Sequence, residues 1–241
     1  MHLLIDNSNT LTKFALDLGG ELSEWRGVIA TSDLSKTSIQ NTLHSQTFER
    51  ITLCSVVPDS TILIKTIFDQ PIHHISHQSK MPITIDYPNP SKIGADRLAN
   101  ASAAILDRQG PAIVIDFGTA VTFDVISKIG SYLGGVIAPG TASLRDYLHQ
   151  KTALLPAIQL EEPNSIIGRS TEEAMQIGAV IGYRGLIREI LSELRRELGG
   201  TPTILATGGD AELIGKGISD IDIIDQDLTM KGIQVIGRAN H

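Results

Sequence analysis

One cysteine, Cys54, stands in a chain of 241 residues, so no disulfide forms within it, and a reducing compartment is the expectation. Long apolar runs are also missing. Met1–Ile5 is too short for the apolar core of a signal peptide, Asp6 interrupts it at once, and no later stretch approaches the length needed to span a bilayer. The chain is therefore expected to be cytoplasmic. No strongly basic patch offsets a net charge of -7, which argues against nucleic-acid and anionic-membrane partners. An anionic substrate would then have to be neutralised locally, by a metal ion, a few cations and oriented amides.

What is present is a repeated pattern. LLIDNSNTLT (Leu3–Thr12) and IVIDFGTAVT (Ile113–Thr122) each run from apolar residues to an aspartate, then through a turn with a small residue to hydroxyls and a second apolar stretch. They align without gaps, Asp6 on Asp116 and Thr12 on Thr122. A strand that delivers a carboxylate to a small-residue turn brings backbone N–H groups and a hydroxyl toward one point, which suits a phosphate and its metal ion. One such aspartate alone reads as the cap of its own turn. The matched pair points to a nucleotide held between two related domains.

Strands and helices alternate in an α/β manner. Strands are expected at Leu3–Ile5, Thr12–Leu16, Ile51–Val57, Ala112–Ile115, Thr122–Ile126, Gly134–Ile137 and Thr203–Ala206. Helices are expected in the second half of Thr31–Arg50, at Ser60–Phe68, at Asp96–Leu106, around Thr141–Leu148 and at Ala211–Ile214. Ser170 and Glu173 read as a capping box opening one long helix to about Leu198. Gly178, Gly182 and Gly185 in that helix suggest close approach of another backbone. Pro71–Pro90 has no helical period and reads as a loop region, facing a substrate or merely connecting. The restart of the pattern divides the chain into residues 1–109 and 110–241.

Several side chains carry candidate chemistry. Asp6 and Asp116 can organise hydrated cations around phosphates. Lys13 can meet a phosphate as a point charge, and Thr10, Thr119 and Thr122 offer hydroxyls beside the turns. Asp96, in Gly94–Arg97, reads either as a first-turn helix carboxylate or as a general base toward a hydroxyl attacking a γ-phosphate, with Arg97 on an anionic group. Spacing does not choose between these. Thr207, Gly208 and Gly209 suit close approach of a base or ribose to the backbone. His73, His74 and His77 lack the acidic or cysteine partners that a catalytic zinc site usually shows.

In order, DNSNTLTK, SVVP, YPNPSKIGADR, DFGTAVTFD, GGVIAPG, GRST and TGGDA resemble the type III pantothenate kinases, from Asp6 to Ala211. The resemblance implies an α/β fold of two related actin-like (ribonuclease H-like) domains with a nucleotide cleft between them. It implies ATP-dependent phosphorylation of pantothenate, the first committed step toward coenzyme A, in a homodimer that uses Mg²⁺ and a monovalent cation, K⁺ or NH₄⁺. It places ATP phosphates on Asp6, Asn7, Ser8, Asn9, Thr10, Leu11, Thr12, Lys13 and Thr119. It makes Asp96 the proton acceptor and Asp116 the monovalent-cation ligand. Pantothenate falls to Tyr87, to Gly94, Ala95, Asp96 and Arg97, and to Thr171, which in this family can come from the dimer partner. The glycine-bearing helix and the GGVIAPG segment would then help build the interface. The family's first turn usually reads D-x-G-N-T, and this chain has Ser8 at the glycine. If that position requires φ > 0, Ser8 costs about 1 kcal/mol or more; alternatively its hydroxyl faces a phosphate. Two other classes fit the turns: another actin-like kinase or phosphatase, and a non-catalytic accessory protein for which Ser8 is the only hint.

Overall fold

The computed structural model describes residues 1–106 and 110–241, with the side chain of Leu144 left out. In chain order the elements are β1 (His2–Asn7), β2 (Leu11–Asp17), β3 (Leu22–Ala30), α1 (Lys36–Leu43), β4 (Arg50–Ser55), α2 (Pro58–Ile67), β5 (Ile72–His74), β6 (Thr84–Ile85) and α3 (Ala95–Ala104). There follow β7 (Ala112–Phe117), β8 (Ala120–Ile126), β9 (Ser131–Pro139), α4 (Thr141–Lys151), α5 (Thr171–Ile177), α6 (Tyr183–Leu198), β10 (Thr203–Thr207), β11 (Ile223–Ile224) and α7 (Leu228–Asn240). The expected boundary after residue 109 adjoins residues 107–109, which lie outside the described residues. Among the described residues, no helix is long and apolar enough to cross a membrane.

The chain forms two compact units, one of Met1–Gln109, Gly130–Leu133 and Asp227–His241, the other of Gly110–Ile129 and Gly134–Gln226. In the first, the strand order is β3-β2-β1-β4-β5, with β1, β2 and β3 an antiparallel meander and β4 and β5 parallel to β1. The second repeats that plan as β9-β8-β7-β10-β11, with β7 antiparallel to β8 and parallel to β10, and β11 parallel to β10. The α/β fold of two related halves is thus written twice in strand order.

Every residue of β1 is buried, as expected of a strand covered on both faces. One face joins Leu3 and Ile5 to Phe14, Leu16, Ile51, Leu53, Ile39 and Ile64 of neighbouring strands and of α1 and α2. In the second unit Ile113, Ile115, Phe123 and Ile204 pack with Val180, Ile187 and Leu191. Helix α7 lies on α3 because Gly232 has no side chain: a Cβ there would stand 1.9 Å from the Ala99 carbonyl oxygen.

Several elements differ from expectation. Helix α1 occupies the middle of Thr31–Arg50, because Ser35 and Ser38 form a reciprocal capping box and Arg50 already begins β4. Pro58 opens α2 at its first turn, where its missing N–H costs nothing, instead of only ending the strand before it. The passage from Pro71 to Pro90 contains two short strands, β5 and β6. The long helix is interrupted by a π-helical turn over Gly178–Gly182. A Cβ on Gly178, Gly182 or Gly185 would meet nothing within 4 Å, so these glycines admit no neighbouring backbone within the chain. The box at Ser170 is also displaced: Ser170 Oγ accepts from Glu173 N at 3.1 Å, but the Glu173 carboxylate takes the N–H of Arg169, at 2.6 Å.

Candidate active site

The two aspartate turns are related but not identical. In the first, Asp6 pairs with Lys13 and Asn7 with Thr12; in the second, Asp116 pairs with Thr122 and Phe117 with Val121. The first loop is one residue longer, closed by Ser8 N donating to Leu11 O (3.1 Å), whereas Gly118 N donates to Ala120 O (3.2 Å). The gap-free alignment therefore fails at the turn, and Lys13 stands opposite Asp6 where Thr122 stands opposite Asp116.

The first turn places each of the residues expected at the phosphates. Among the described residues no non-glycine residue has positive φ, so Ser8 carries no left-handed strain. Its hydroxyl donates to Leu11 O at 2.9 Å, and its own carbonyl accepts from Thr31 Oγ1 at 2.7 Å. The strain expected if this position required φ > 0 is therefore absent, and the hydroxyl helps to close the turn. Asn7 Nδ2 donates to Thr12 Oγ1 and Asn7 Oδ1 accepts from Ser55 Oγ, both at 2.7 Å. Asn7 is 1% and Thr12 0% exposed, and their side chains hold the strand ends together. Asn9 and Thr10 are exposed at the tip, Leu11 and Lys13 half-buried, and Asp6 buried at the end of β1.

In the second unit Asp116 is half-buried and Thr119 exposed. Two glycines let other backbone close on this turn. A Cβ on Gly140 would lie 2.4 Å from Gly118 O and 2.5 Å from Thr119 O. One on Gly208, whose φ is +94°, would lie 2.6 Å from both Asp116 Oδ1 and Phe117 O. The GGVIAPG and TGGDA segments thus end in backbone contacts against the Asp116 turn. Thr141 Oγ1 donates to the Asp210 carboxylate. Tyr183 donates to Pro139 O at 3.0 Å, and burial, then the nearby Asp210 charge, raises its phenol above the ordinary range. Oxygen donors of carboxylate and backbone type around Asp116 suit a hard cation. No group of three or more His, Cys, Asp or Glu able to hold a metal occurs among the described residues. A divalent ion would thus depend on nucleotide phosphates and water for most of its ligands.

The candidate base lies in the first unit at the start of α3. Gly94 is the N-cap, and a Cβ on it would be 3.6 Å from Val56 Cγ1, just past the end of β4. This puts Asp96 near the carboxyl end of a parallel strand, where α/β folds place their ligands. Asp96 Oδ1 accepts from Arg97 N at 2.8 Å. Burial pushes its carboxyl above the usual range, against the opposing pull of that N–H and of the Arg97 charge. Ala95 is buried and packs inward. Tyr87 is 37% exposed, with its ring edge against Tyr132 (centroids 6.2 Å, 62°), and the Arg97 guanidinium sits 5.8 Å from the centre of the same Tyr132 ring.

Thr171 is exposed at the first position of α5 and lines a cavity of about 920 Å³ with Arg145, Tyr147, Leu155, Ile158 and Met175. That cavity lies wholly in the second unit. Sequence reasoning missed Tyr132, Thr141 and Asp210. Only Asp210 carried a signal, as the residue ending the strand–Thr–Gly–Gly turn.

Comparison with known proteins shows the family. A profile of the type III pantothenate kinase family matches residues 2–193. The chain is 49% identical over 239 residues to a type III pantothenate kinase of Akkermansia muciniphila, covering 99% of both chains. It is 42% identical over 237 residues to one of Methylacidiphilum infernorum, covering 98% of this chain and 87% of that one. The fold is similar to that of a conserved Campylobacter jejuni protein assigned to the Baf family of transcriptional activators (TM-score 0.65, 21% identity, 98% and 97% covered). It is also similar to an inorganic polyphosphate/ATP-glucomannokinase from Arthrobacter (TM-score 0.52, 15% identity, 99% of both covered). This protein belongs to the type III pantothenate kinase family.

Proposed function

We propose that the chain transfers the γ-phosphoryl group of ATP to the primary hydroxyl of pantothenate, giving 4′-phosphopantothenate and ADP. The observation that carries this reading is the half-buried Asp96, held at the start of α3 beside Arg97, in a chain of this family. A carboxylate whose proton affinity is raised by burial is a better acceptor for the hydroxyl proton. As that proton passes to Asp96, the hydroxyl oxygen bonds to the γ-phosphorus and the bond to the β,γ-bridging oxygen breaks. Arg97 and Tyr87 hold the acceptor, and the carboxylate of pantothenate suits the guanidinium.

In the same reading the first turn receives ATP phosphates through its backbone, Asp6, Thr10 and Lys13, with Asn7, Ser8 and Thr12 shaping it. Thr119 reaches the nucleotide from the second turn. Mg²⁺ bound with the nucleotide would spread the developing phosphate charge. Asp116, with backbone pressed against its turn at Gly208, would hold K⁺ or NH₄⁺, supplying a fixed positive charge near the phosphates. The negative net charge and single buried Cys54 support a cytoplasmic enzyme with neither nucleic-acid nor membrane partners.

A homodimer completes the reading. Ile137, Tyr147, Leu154, Ile166 and Ile167 are 61% to 90% exposed, on β9, α4 and the segment after it, all in the second unit, and Tyr147 also lines the Thr171 cavity. A second copy would cover this apolar surface and bring Thr171 to its partner's acceptor. The deciding experiment is ADP release with pantothenate beside a sugar, acetate and polyphosphate, together with the mass in solution. ADP release driven by another acceptor, or by none, would refute the assignment.

A further inference from the structure

We propose that Tyr132 is a positioning residue for the acceptor, its buried ring presetting both Arg97 and Tyr87. The proposal rests on the reading above, in which those two residues meet pantothenate. Tyr132 is wholly buried. In its strand pairing Ile85 lies opposite it, and Asp86 N donates to its carbonyl at 2.9 Å, so the chain delivering Tyr87 is anchored to its backbone. From the other side α3 brings the Arg97 guanidinium to 5.8 Å from the ring centre. One aromatic ring therefore ties the acceptor loop to the helix that bears the base.

A guanidinium is planar and weakly hydrated, so its face rests on an aromatic ring at little desolvation cost. Carboxylates are gripped by its in-plane N–H edge, so stacking and carboxylate recognition are compatible on one residue. An arginine of many rotamers loses that freedom when it binds an anion; one already held over a ring face by a cation–π contact has lost part of it beforehand. The edge of Tyr87 against Tyr132 orders the second contact in the same way. Asp96 takes its hydrogen bond from the backbone N–H of Arg97, which the ring does not hold, so loss of the ring falls chiefly on acceptor affinity and only weakly, through the Arg97 charge, on proton transfer.

The test is steady-state kinetics with ATP and pantothenate varied separately, on Tyr132→Phe, Tyr132→Leu and Arg97→Lys, with melting temperatures alongside. Tyr132→Leu is expected to raise the KM for pantothenate roughly tenfold, the scale of a desolvated cation–π contact, with kcat and the KM for ATP within about twofold. Tyr132→Phe, which keeps the ring, restores the wild-type KM. Arg97→Lys keeps the charge but not the planar face, and should raise the same KM even if Tyr132→Leu fails to fold. A wild-type KM in folded Tyr132→Leu, equal losses with Phe and Leu, or a wild-type KM in Arg97→Lys would each overturn the proposal while the kinase reading stands. A wild-type protein that releases no ADP with pantothenate overturns both.

Discussion

A side-chain carbon on Gly94 would stand 2.4 Å from Oδ1 of Asp96. The backbone there, φ -59° and ψ 141°, is open to any residue, so the carboxylate, not the chain conformation, demands glycine. Gly94→Ala is expected to turn the carboxylate out of its bond with Arg97 N and lower kcat about 100-fold, the scale of a small misplacement of a catalytic group. Putting alanine for glycine at an N-cap costs about 1 kcal/mol, so the melting temperature should fall by only a few degrees. Full activity in this variant would show that the carboxylate position is not used.

Asp96→Asn should abolish turnover and yet stabilise the protein at neutral pH. Burial raises the folded carboxyl above its ordinary value of 3.8. The favourable contribution of such a group is complete below the unfolded value and is lost as pH rises through the folded one. At pH 7 the wild type therefore bears a cost of burying charge that asparagine lacks. Melts from pH 3 to 8 should show the variant ahead at neutrality and the gap closing as pH falls through the raised folded value toward 3.8, below which it is gone. A gap independent of pH would contradict the burial of this charge.

At the second turn, activity is expected to be higher in K⁺ than in Na⁺, and this preference should vanish in Gly208→Ala. The added methyl would meet both Asp116 Oδ1 and Phe117 O at 2.6 Å, in a backbone of φ +94° that alanine adopts only with strain. ADP-release rates in matched chloride salts check both statements. Equal wild-type rates in the two salts would remove the cation role from Asp116.

The repeated strand–Asp–turn units were legible because apolar runs ending in a carboxylate are local features, and they carried the two-fold plan of the sheets. Their register was not. Whether Lys13 or Thr12 faces the carboxylate strand position depends on one residue of loop length, which Ser8 sets by folding onto Leu11 O. Strands β5 and β6 escaped notice because they are three and two residues long and owe their conformation to distant partners, β4 and β9. Tyr132 escaped for the same reason: its neighbours Tyr87 and Arg97 are far away in sequence, and a tyrosine in a strand has no mark of its own. Asp96, by contrast, was visible as chemistry but not as geometry, since only the fold reveals why a glycine precedes it by two places.

A last prediction concerns the opposite end of β1, where the chain terminus is locked by histidines. His2 is 1% exposed; its Nε2 bonds Thr52 Oγ1 at 2.7 Å, while its Nδ1 lacks a hydrogen bond and lies 3.9 Å from Asp17 Oδ2. The ring of His241 stands edge-on at 4.8 Å, and that of His73 lies 6.0 Å from His241. Burial, followed by the positive neighbours His241 and Arg50 and the N-terminus, lowers His2 to about 4, against the pull of Asp17. The unfolded chain takes up this proton near 6.5, so the stabilisation is complete above that value and is lost as pH falls toward 4. The drop amounts to roughly 3 kcal/mol at its acid end. His73, His74 and His241 are lowered too, chiefly by burial, and contribute to the same limb. Urea unfolding of His2→Gln should therefore show a smaller loss of stability between pH 7 and pH 4.5 than the wild type, whatever the variant loses at neutrality by giving up Thr52. An unchanged pH slope would mean that His2 is not the neutral, buried group that its surroundings require.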